Sequence, residues 1–252
     1  REFFYGFFDL EKAGISAAMM SSAAAMPGIA GRIASTTERV FASMTALGVK
    51  PLSARLALPH LMKAEVVMSY TDGFSLSLGL GLGHRANRPI LFGGFHGLSD
   101  IELRDEVRGA NVVRRVISRS LRGLDHAFFF GEADQRECVA RYGIPEERTS
   151  IIPFGIDTEF WHPMPDVEVC DVAVAIGQDM NRDFDLLART PGEHPTRIVT
   201  RRKIAVPPGA KHVTVTSGDF FGSDSMTDEQ LRTLYNMANA VIVPLKDVNQ
   251  PT

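Results

Sequence analysis

"HAFFFGEADQRECVARYGIPEERTSIIP", residues 126–153, decides the fold. An apolar run from His126 to Phe130 reaches Gly131, and a stretch of helical composition follows, closed by Gly143 and Pro145. A β-branched run, Thr149 to Ile152, then stops at Pro153. Glycine just past a helix with proline shortly beyond is the usual C-terminal stop. Neither apolar run alternates with a period of two, which suits parallel strands covered on both faces. Strand, crossover helix and strand make a βαβ unit, and the fold class expected is α/β.

Working outward, "EVVMSYT" (65–71) and "PILFGG" (89–94) add two strands of the same kind upstream. Downstream a second series begins with "CDVAVAIG" (170–177), helix "RDFDLLART" (182–190), "TRIVTRR" (196–202), "KHVTVT" (211–216) and "VIVPL" (241–245). The helix before that last strand opens with Thr227 and Gln230 at capping-box spacing and carries Leu231, Leu234, Tyr235 and Ala238 on one face. Two Rossmann-like domains with parallel sheets follow from this order, 1–160 and 161–252. The passage between them, "PFGIDTEFWHPMPD", holds Phe154, Phe160 and Trp161 without periodicity and leads into a Pro-rich linker, His162 to Val167. Its aromatics are expected to pack between the domains beside a cleft, since ligands of open α/β sheets bind beyond the carboxyl ends of strands. The plainer alternative is that Phe160 and Trp161 plug the linker against the first domain.

At the start, "REFFYGFFDLEKAG" reads as an amphipathic helix with Phe4, Phe7, Phe8 and Leu10 as its apolar positions and Gly14 as its stop. No initiator Met and no strand precede it, and the chain ends soon after "VIVPL". The expectation is a fragment, lacking the first strand of the first domain and with the second domain truncated.

Composition narrows the function. With 44% apolar and 23% charged residues in 252, the chain is an ordinary globular protein. A net charge of -3 gives no general reason to approach nucleic acid or anionic lipid, although a local basic patch stays open. Cys138 and Cys170 have no metal-ligand spacing and read as reduced and structural, and the scattered histidines suggest no metal either. With no apolar run of membrane-spanning length, the expected location is the cytoplasm. "LGLGLGH" (78–84) lacks the G-x-G-x-x-G spacing of a dinucleotide turn. "SAAMMSSAAAMPGIAGRIA" (16–34) reads either as an adaptable surface for a lipid or glycan acceptor or as a strand, a loop and an ordinary helix start.

The continuous stretch "HAFFFGEADQRECVARYGIPEERTSIIPFGIDTEFWHP" resembles the GT-B glycosyltransferases of the GT4-like group, with "YGIP", "IIPFGID" and "FWHP" in order. Weaker similarity extends to "RPILFGGFHGLSD" upstream and "IGQDMNRDFDLLAR" downstream. The resemblance implies two facing Rossmann-like domains and a nucleotide-sugar donor used as a substrate, with no cofactor. It also implies a metal-independent reaction, probable retention of anomeric configuration, and hexosyltransferase-like activity on a glycan, lipid or small-molecule acceptor. Peripheral contact with the inner face of the membrane is compatible with such a role, and nucleic acid is not an expected partner.

Donor-site residues follow from the charge left on the departing diphosphate. Gly177 ends a strand and lets backbone approach phosphates, and Arg182 adds a cation at the start of the next helix. Alternatively Arg182 pairs with Asp179 at the surface. Arg201 and Arg202 end a strand and either flank the nucleobase or ribose or are simply solvated. His96, after a strand, is expected to bond a sugar hydroxyl or steady the oxocarbenium site, or else to cap a helix or meet solvent. This chain departs from the resembled pattern with Phe154 where Asn is common, with Gln178 and Asp179 in place of an Arg, and with Arg182 in place of a Lys. In that family an acidic motif follows the strand matching "VIVPL", so the chain alone is expected to be inactive. Two alternatives from other classes remain, a non-catalytic nucleotide-sugar-binding protein and a two-lobed solute-binding protein.

Overall fold

The computed structural model describes residues 7–20, 28–45, 47–103, 109–179, 181–216 and 226–246. The chain divides into two compact units between Gly155 and Ile156.

The first unit runs α1 (Phe7–Lys12), α2 (Ile29–Thr45), α3 (Pro51–Leu61), β1 (Val66–Ser69), α4 (Asp72–Leu82), β2 (Ile90–Phe95), α5 (Ala110–Gly123), β3 (His126–Phe129), α6 (Glu132–Tyr142) and β4 (Thr149–Ile151). Its four strands are parallel in the order β1-β2-β3-β4. The expected βαβ unit is present, and α6 ends at Gly143 in the left-handed region (φ 66°), whose N–H donates to the Val139 carbonyl at 3.0 Å. Gly14 ends α1 in the same conformation (φ 78°), while Phe4 lies outside the described residues.

Consecutive strands laid down in one direction with right-handed crossovers put their helices on one side of a sheet. Accordingly Leu91, Phe95, Ala127 and Phe129 join the core built by α4, α5 and α6. The expectation of strands covered on both faces holds only in part, since on the face opposite Ala127 and Phe129 the side chain of Phe128 is fully buried but others are not. Val66, Met68 and Ile90, with side chains toward the other face, keep 46%, 41% and 49% of their surface exposed.

The glycines of 78–84 lie in and just past α4, and they serve packing. A Cβ on Gly79 would come within 2.1 Å of the Ser120 carbonyl oxygen, and one on Gly81 within 2.6 Å of the Pro51 carbonyl oxygen. These positions let α4 approach α5 and α3 backbone to backbone. Polar ties fix the periphery. Glu38 of α2, buried, accepts the Ser53 N–H at 2.8 Å and the Ser53 hydroxyl, capping α3 from a neighbouring helix where Lys50 supplies no side-chain cap. Arg88 grips the Asp125 carboxylate through both terminal nitrogens, and the same carboxylate accepts the Leu91 N–H at 2.7 Å. Burial pushes the Asp125 carboxyl up, but the Arg88 and Leu91 hydrogen bonds outweigh it and leave it below its ordinary value.

The second unit runs β5 (Cys170–Ile176), α7 (Phe184–Arg189), β6 (Thr196–Val199), β7 (Val213–Thr216), α8 (Asp228–Met237) and β8 (Ala238–Val241). Its four strands are parallel in the order β7-β6-β5-β8. Thr227 and Gln230 form the expected capping box, with Leu231 and Leu234 buried. The last strand is displaced from 241–245 to Ala238–Val241, so Ala238 is in the strand and not on the helix. As an edge strand, β8 leaves Val241 half exposed, and beyond it Val243 and Leu245 are exposed too. The apolar run thus reads as a buried strand, yet it combines Ile242, packed on the core of this unit, with exposed Val241, Val243 and Leu245.

Phe160 and Trp161 are anchored on α8 of their own unit. The Arg232 guanidinium lies 4.5 Å from the Phe160 ring centroid and Nη1 donates to the Phe160 carbonyl at 3.1 Å. Trp161 meets Tyr235 edge-on at 6.2 Å, and Asn236 accepts the Met164 N–H at 2.7 Å. Phe154, by contrast, belongs to the first unit.

Candidate functional site

In the second unit β6 and β7 are added on one side of β5, and α8 returns the chain to the other side, where β8 pairs with β5. The order of strands therefore reverses between β5 and β8, and the carboxyl ends of those two strands are where a doubly wound sheet holds ligands. Gly177 follows β5 directly with φ 155°, a backbone that side-chain-bearing residues rarely adopt. A Cβ there would lie 3.6 Å from Nε of Arg182, so the arginine stem runs along the glycine.

Arg182 is fixed by its backbone. It forms an antiparallel bridge with Leu245, the Asp183 N–H donates to the Pro244 carbonyl at 2.9 Å, and the Lys246 N–H donates to Asn181 at 2.8 Å. Among the described residues the alternative ion pair with Asp179 does not form, and the Asp179 carboxylate accepts the Asn181 N–H at 2.7 Å. Among the described residues Nη1 of Arg182 is buried without a hydrogen-bond partner. Leaving a charged donor unsatisfied away from water is costly, and an acceptor from outside reaches this nitrogen only when the atoms that cover it shift. The expected help from a helix terminus is absent. Helix α7 has six residues, and its Asp183 cap already accepts the Leu186 N–H at 2.8 Å.

Arg201 and Arg202 sit close by, but with different engagements. The Arg201 N–H donates to the Gln178 amide oxygen at 2.8 Å, tying the end of β6 to the end of β5, and Arg201 is exposed. Arg202 turns inward, with Nη1 donating to the carbonyls of Asp179 (3.0 Å) and Arg182 (2.6 Å) and its guanidinium 5.5 Å from the Phe184 ring centroid. It thus fastens the segment that carries Arg182. Burial pushes the Tyr235 phenol of α8 up, and the Arg182 charge opposes it. Sequence reading missed Gln178 as a tie between the ends of β5 and β6.

In the first unit His96 follows β2 at its carboxyl end and is exposed. Its Nε2 lies 2.6 Å from the Tyr70 carbonyl, which can only accept, so Nε2 carries the proton. The His96 N–H donates to the Asp72 carboxylate at 3.2 Å. Burial pushes the Asp72 carboxyl up, with the Asp134 charge adding to this and His96 opposing it. The imidazole packs against Phe130 (4.3 Å) and Phe154 (5.1 Å), which stack on each other at 4.0 Å and 12°. Phe154 is 57% exposed. An imidazole whose N–H is committed to a carbonyl and which is flanked by ring faces suits a sugar, whose C–H face stacks on aromatics. Sequence reading singled out His96 and noted Phe154 as a departure, but it did not join them, because Phe130 arrives from a different strand. Cys138 is buried beside Asp134, which together raise its thiol, and Cys138 and Cys170 are both free.

Among the described residues no group of three His, Cys, Asp or Glu side chains is disposed to hold a metal ion, and no helix is long and apolar enough to cross a membrane. No family model matches the chain, and no curated protein matches it. Among solved structures it is similar to the lipopolysaccharide outer core galactosyltransferase WaaB in its apo form, at 15% identity and a TM-score of 0.37. The overlap covers 60% of this chain and 41% of that one, so the chain spans less than half of that structure.

Proposed function

We propose that this chain belongs to a glycosyltransferase that moves a sugar from a nucleotide-sugar donor to an acceptor. The observation that carries the reading is the buried, unpartnered Nη1 of Arg182 at the point where the strand order of the second sheet reverses. An anionic diphosphate supplies oxygens that accept from the Arg182 guanidinium, and Gly177 lets backbone come close to it. Arg182 takes the charge that develops on the departing diphosphate, Arg201 reaches ribose or base, and Arg202 holds the loop in place. His96, with Phe130 and Phe154, takes the sugar or acceptor side. The resemblance of residues 126–163 to GT4-like enzymes supports a retaining, hexosyltransferase-like reaction without a metal, run in the cytoplasm with a glycan, lipid or small-molecule acceptor.

The test is calorimetry of the whole protein, beyond these 252 residues, with UDP-, GDP- and ADP-sugars, followed by release of the nucleoside diphosphate in the presence of candidate acceptors. Binding of one nucleotide class and its release on transfer are expected. Binding without release leaves a nucleotide-sugar-binding protein, and absence of binding to all three classes removes the reading.

A further inference from the structure

Helix α8 buries Leu231 and Leu234 and has a flank on either side of them. One flank is filled, since Arg232, Tyr235 and Asn236 receive the linker through Phe160, Trp161 and Met164. On the other, Met226, Gln230, Thr233 and Met237 follow at spacings of four, three and four residues and line a groove together with Arg197 of β6. Strand order explains the opening. Along β6, Ile198 turns to the core shared with α7, while Val199 turns to the core shared with α8. Alternation therefore puts Arg197 on the α8 side of the sheet. That helix packs on β5 and β8, so the α8 side of β6 lies beside it rather than beneath it. The groove has a volume of about 270 Å³, just below the range of about 300–1,000 Å³ usual for drug-sized ligands.

Charge selects the occupant. Nε of Arg197 donates to the Thr216 hydroxyl at 3.2 Å, and among the described residues neither terminal nitrogen has an acceptor. The Gln230 amide oxygen is committed to the Thr227 N–H at 2.9 Å, so its NH2 group is left to donate. Met226, Leu234 and Met237 give apolar walls, and thioether side chains adapt to the shape of what they enclose. Donors above an apolar floor call for an anionic head on an apolar body, and a guanidinium matches a carboxylate through two parallel hydrogen bonds. Glu229, exposed where it joins the lining, repels a second negative charge and so disfavours a phosphate dianion. We propose that this groove binds a small amphiphilic monocarboxylate, its carboxylate on Arg197 and its hydrocarbon chain along Met226, Leu234 and Met237. The site is distinct from the Arg182 loop at the carboxyl end of β5, and it stands whether or not the protein transfers sugar.

The experiment is calorimetry of the whole protein with butanoate, hexanoate, octanoate and decanoate, and with octylammonium, each below its micelle-forming concentration. Saturable carboxylate binding is expected, tightening about fourfold for each added CH2 until the groove is full. Octylammonium, with the same tail and the opposite charge, should bind at least about tenfold more weakly than octanoate. Arg197→Met keeps the stem and should weaken octanoate binding about tenfold or more with the thermal melt retained, and Arg197→Lys should lie between. No saturable binding of octanoate, equal binding of octylammonium by the wild-type protein, or an Arg197→Met affinity within about twofold of wild type would overturn the proposal. Displacement of octanoate by a nucleoside diphosphate would also overturn it, since the carboxylate would then sit at Arg182.

Discussion

Replacing Arg182 with Met separates a ligand-binding arginine from a structural one. Methionine keeps the length and apolar character of the stem beside Gly177 and removes only the guanidinium. In the free protein Nη1 is buried without an acceptor, a cost of about 1–3 kcal/mol for an unsatisfied polar group. Removing it should leave folding stability unchanged or raise it by up to about that amount. Binding should respond in the opposite direction. Loss of a charge-assisted hydrogen bond to a diphosphate is worth about 1.5–3 kcal/mol, so Kd for the nucleoside diphosphate should rise about 10- to 150-fold. Arg182→Lys should lie between, because a point charge remains but the fork does not. Calorimetry gives the affinity and urea unfolding the stability. An affinity within about twofold of wild type would take Arg182 out of the site, and a stability loss well beyond about 1 kcal/mol would show that the guanidinium holds the fold together.

Other substitutions probe the frame and the first unit. Asp125→Asn should destabilise by about 1–2 kcal/mol at neutral pH, discounted for the partial exposure of the carboxylate. Because the folded carboxyl lies below its ordinary value, the wild-type advantage is full above the unfolded pKa and disappears as pH falls through the folded one. Equal differences in unfolding free energy at neutral and strongly acidic pH would contradict this. Gly79→Ala, whose Cβ would meet the Ser120 oxygen at 2.1 Å, should lower stability by about 3 kcal/mol or more. Gly48→Ala, with nothing within 4 Å, should be nearly silent in the same thermal melts. His96→Ala should reduce turnover more than tenfold with nucleotide affinity intact, and equal losses in both would place His96 with the nucleotide instead.

Residues close in sequence announced their own structure. Gly143 and Pro145 marked the end of α6, and Thr227 with Gln230 marked the start of α8, because caps are satisfied within a few residues. Parallel pairing was legible from the unalternating runs. Which side of the first sheet its helices cover was not, since that depends on strand order, which no single strand carries. The apolar "VIVPL" suggested a buried strand, yet pairing with β5 begins at Ala238 and the run continues past the edge of the sheet. The glycines of α4 gave no sign of helix, because their partners Ser120 and Pro51 come from elsewhere in the chain. At the site, Arg182 was the main candidate cation for phosphate through the resemblance, while spacing alone left both it and Arg202 open to a surface role. They differ only through long-range contacts, one nitrogen left without an acceptor and the other spent on two carbonyls.

The bridge between Arg182 and Leu245 bears on the order in which the protein matures. As the chain leaves the ribosome, β5, β6 and β7 are available to pair long before Pro244 and Lys246 emerge, so a nascent second unit can form most of its sheet with the Arg182 loop held by Arg202 alone of its two ties. Ligand competence then arrives as a late event, when α8 has crossed over and the segment after β8 clips onto the loop. A polypeptide halted before residue 244 would keep β5, β6 and β7 and yet lack a fixed cation. Ribosome-stalled chains of increasing length, scored for retention on immobilised nucleoside diphosphate, should therefore switch abruptly once residues 244–246 clear the exit tunnel.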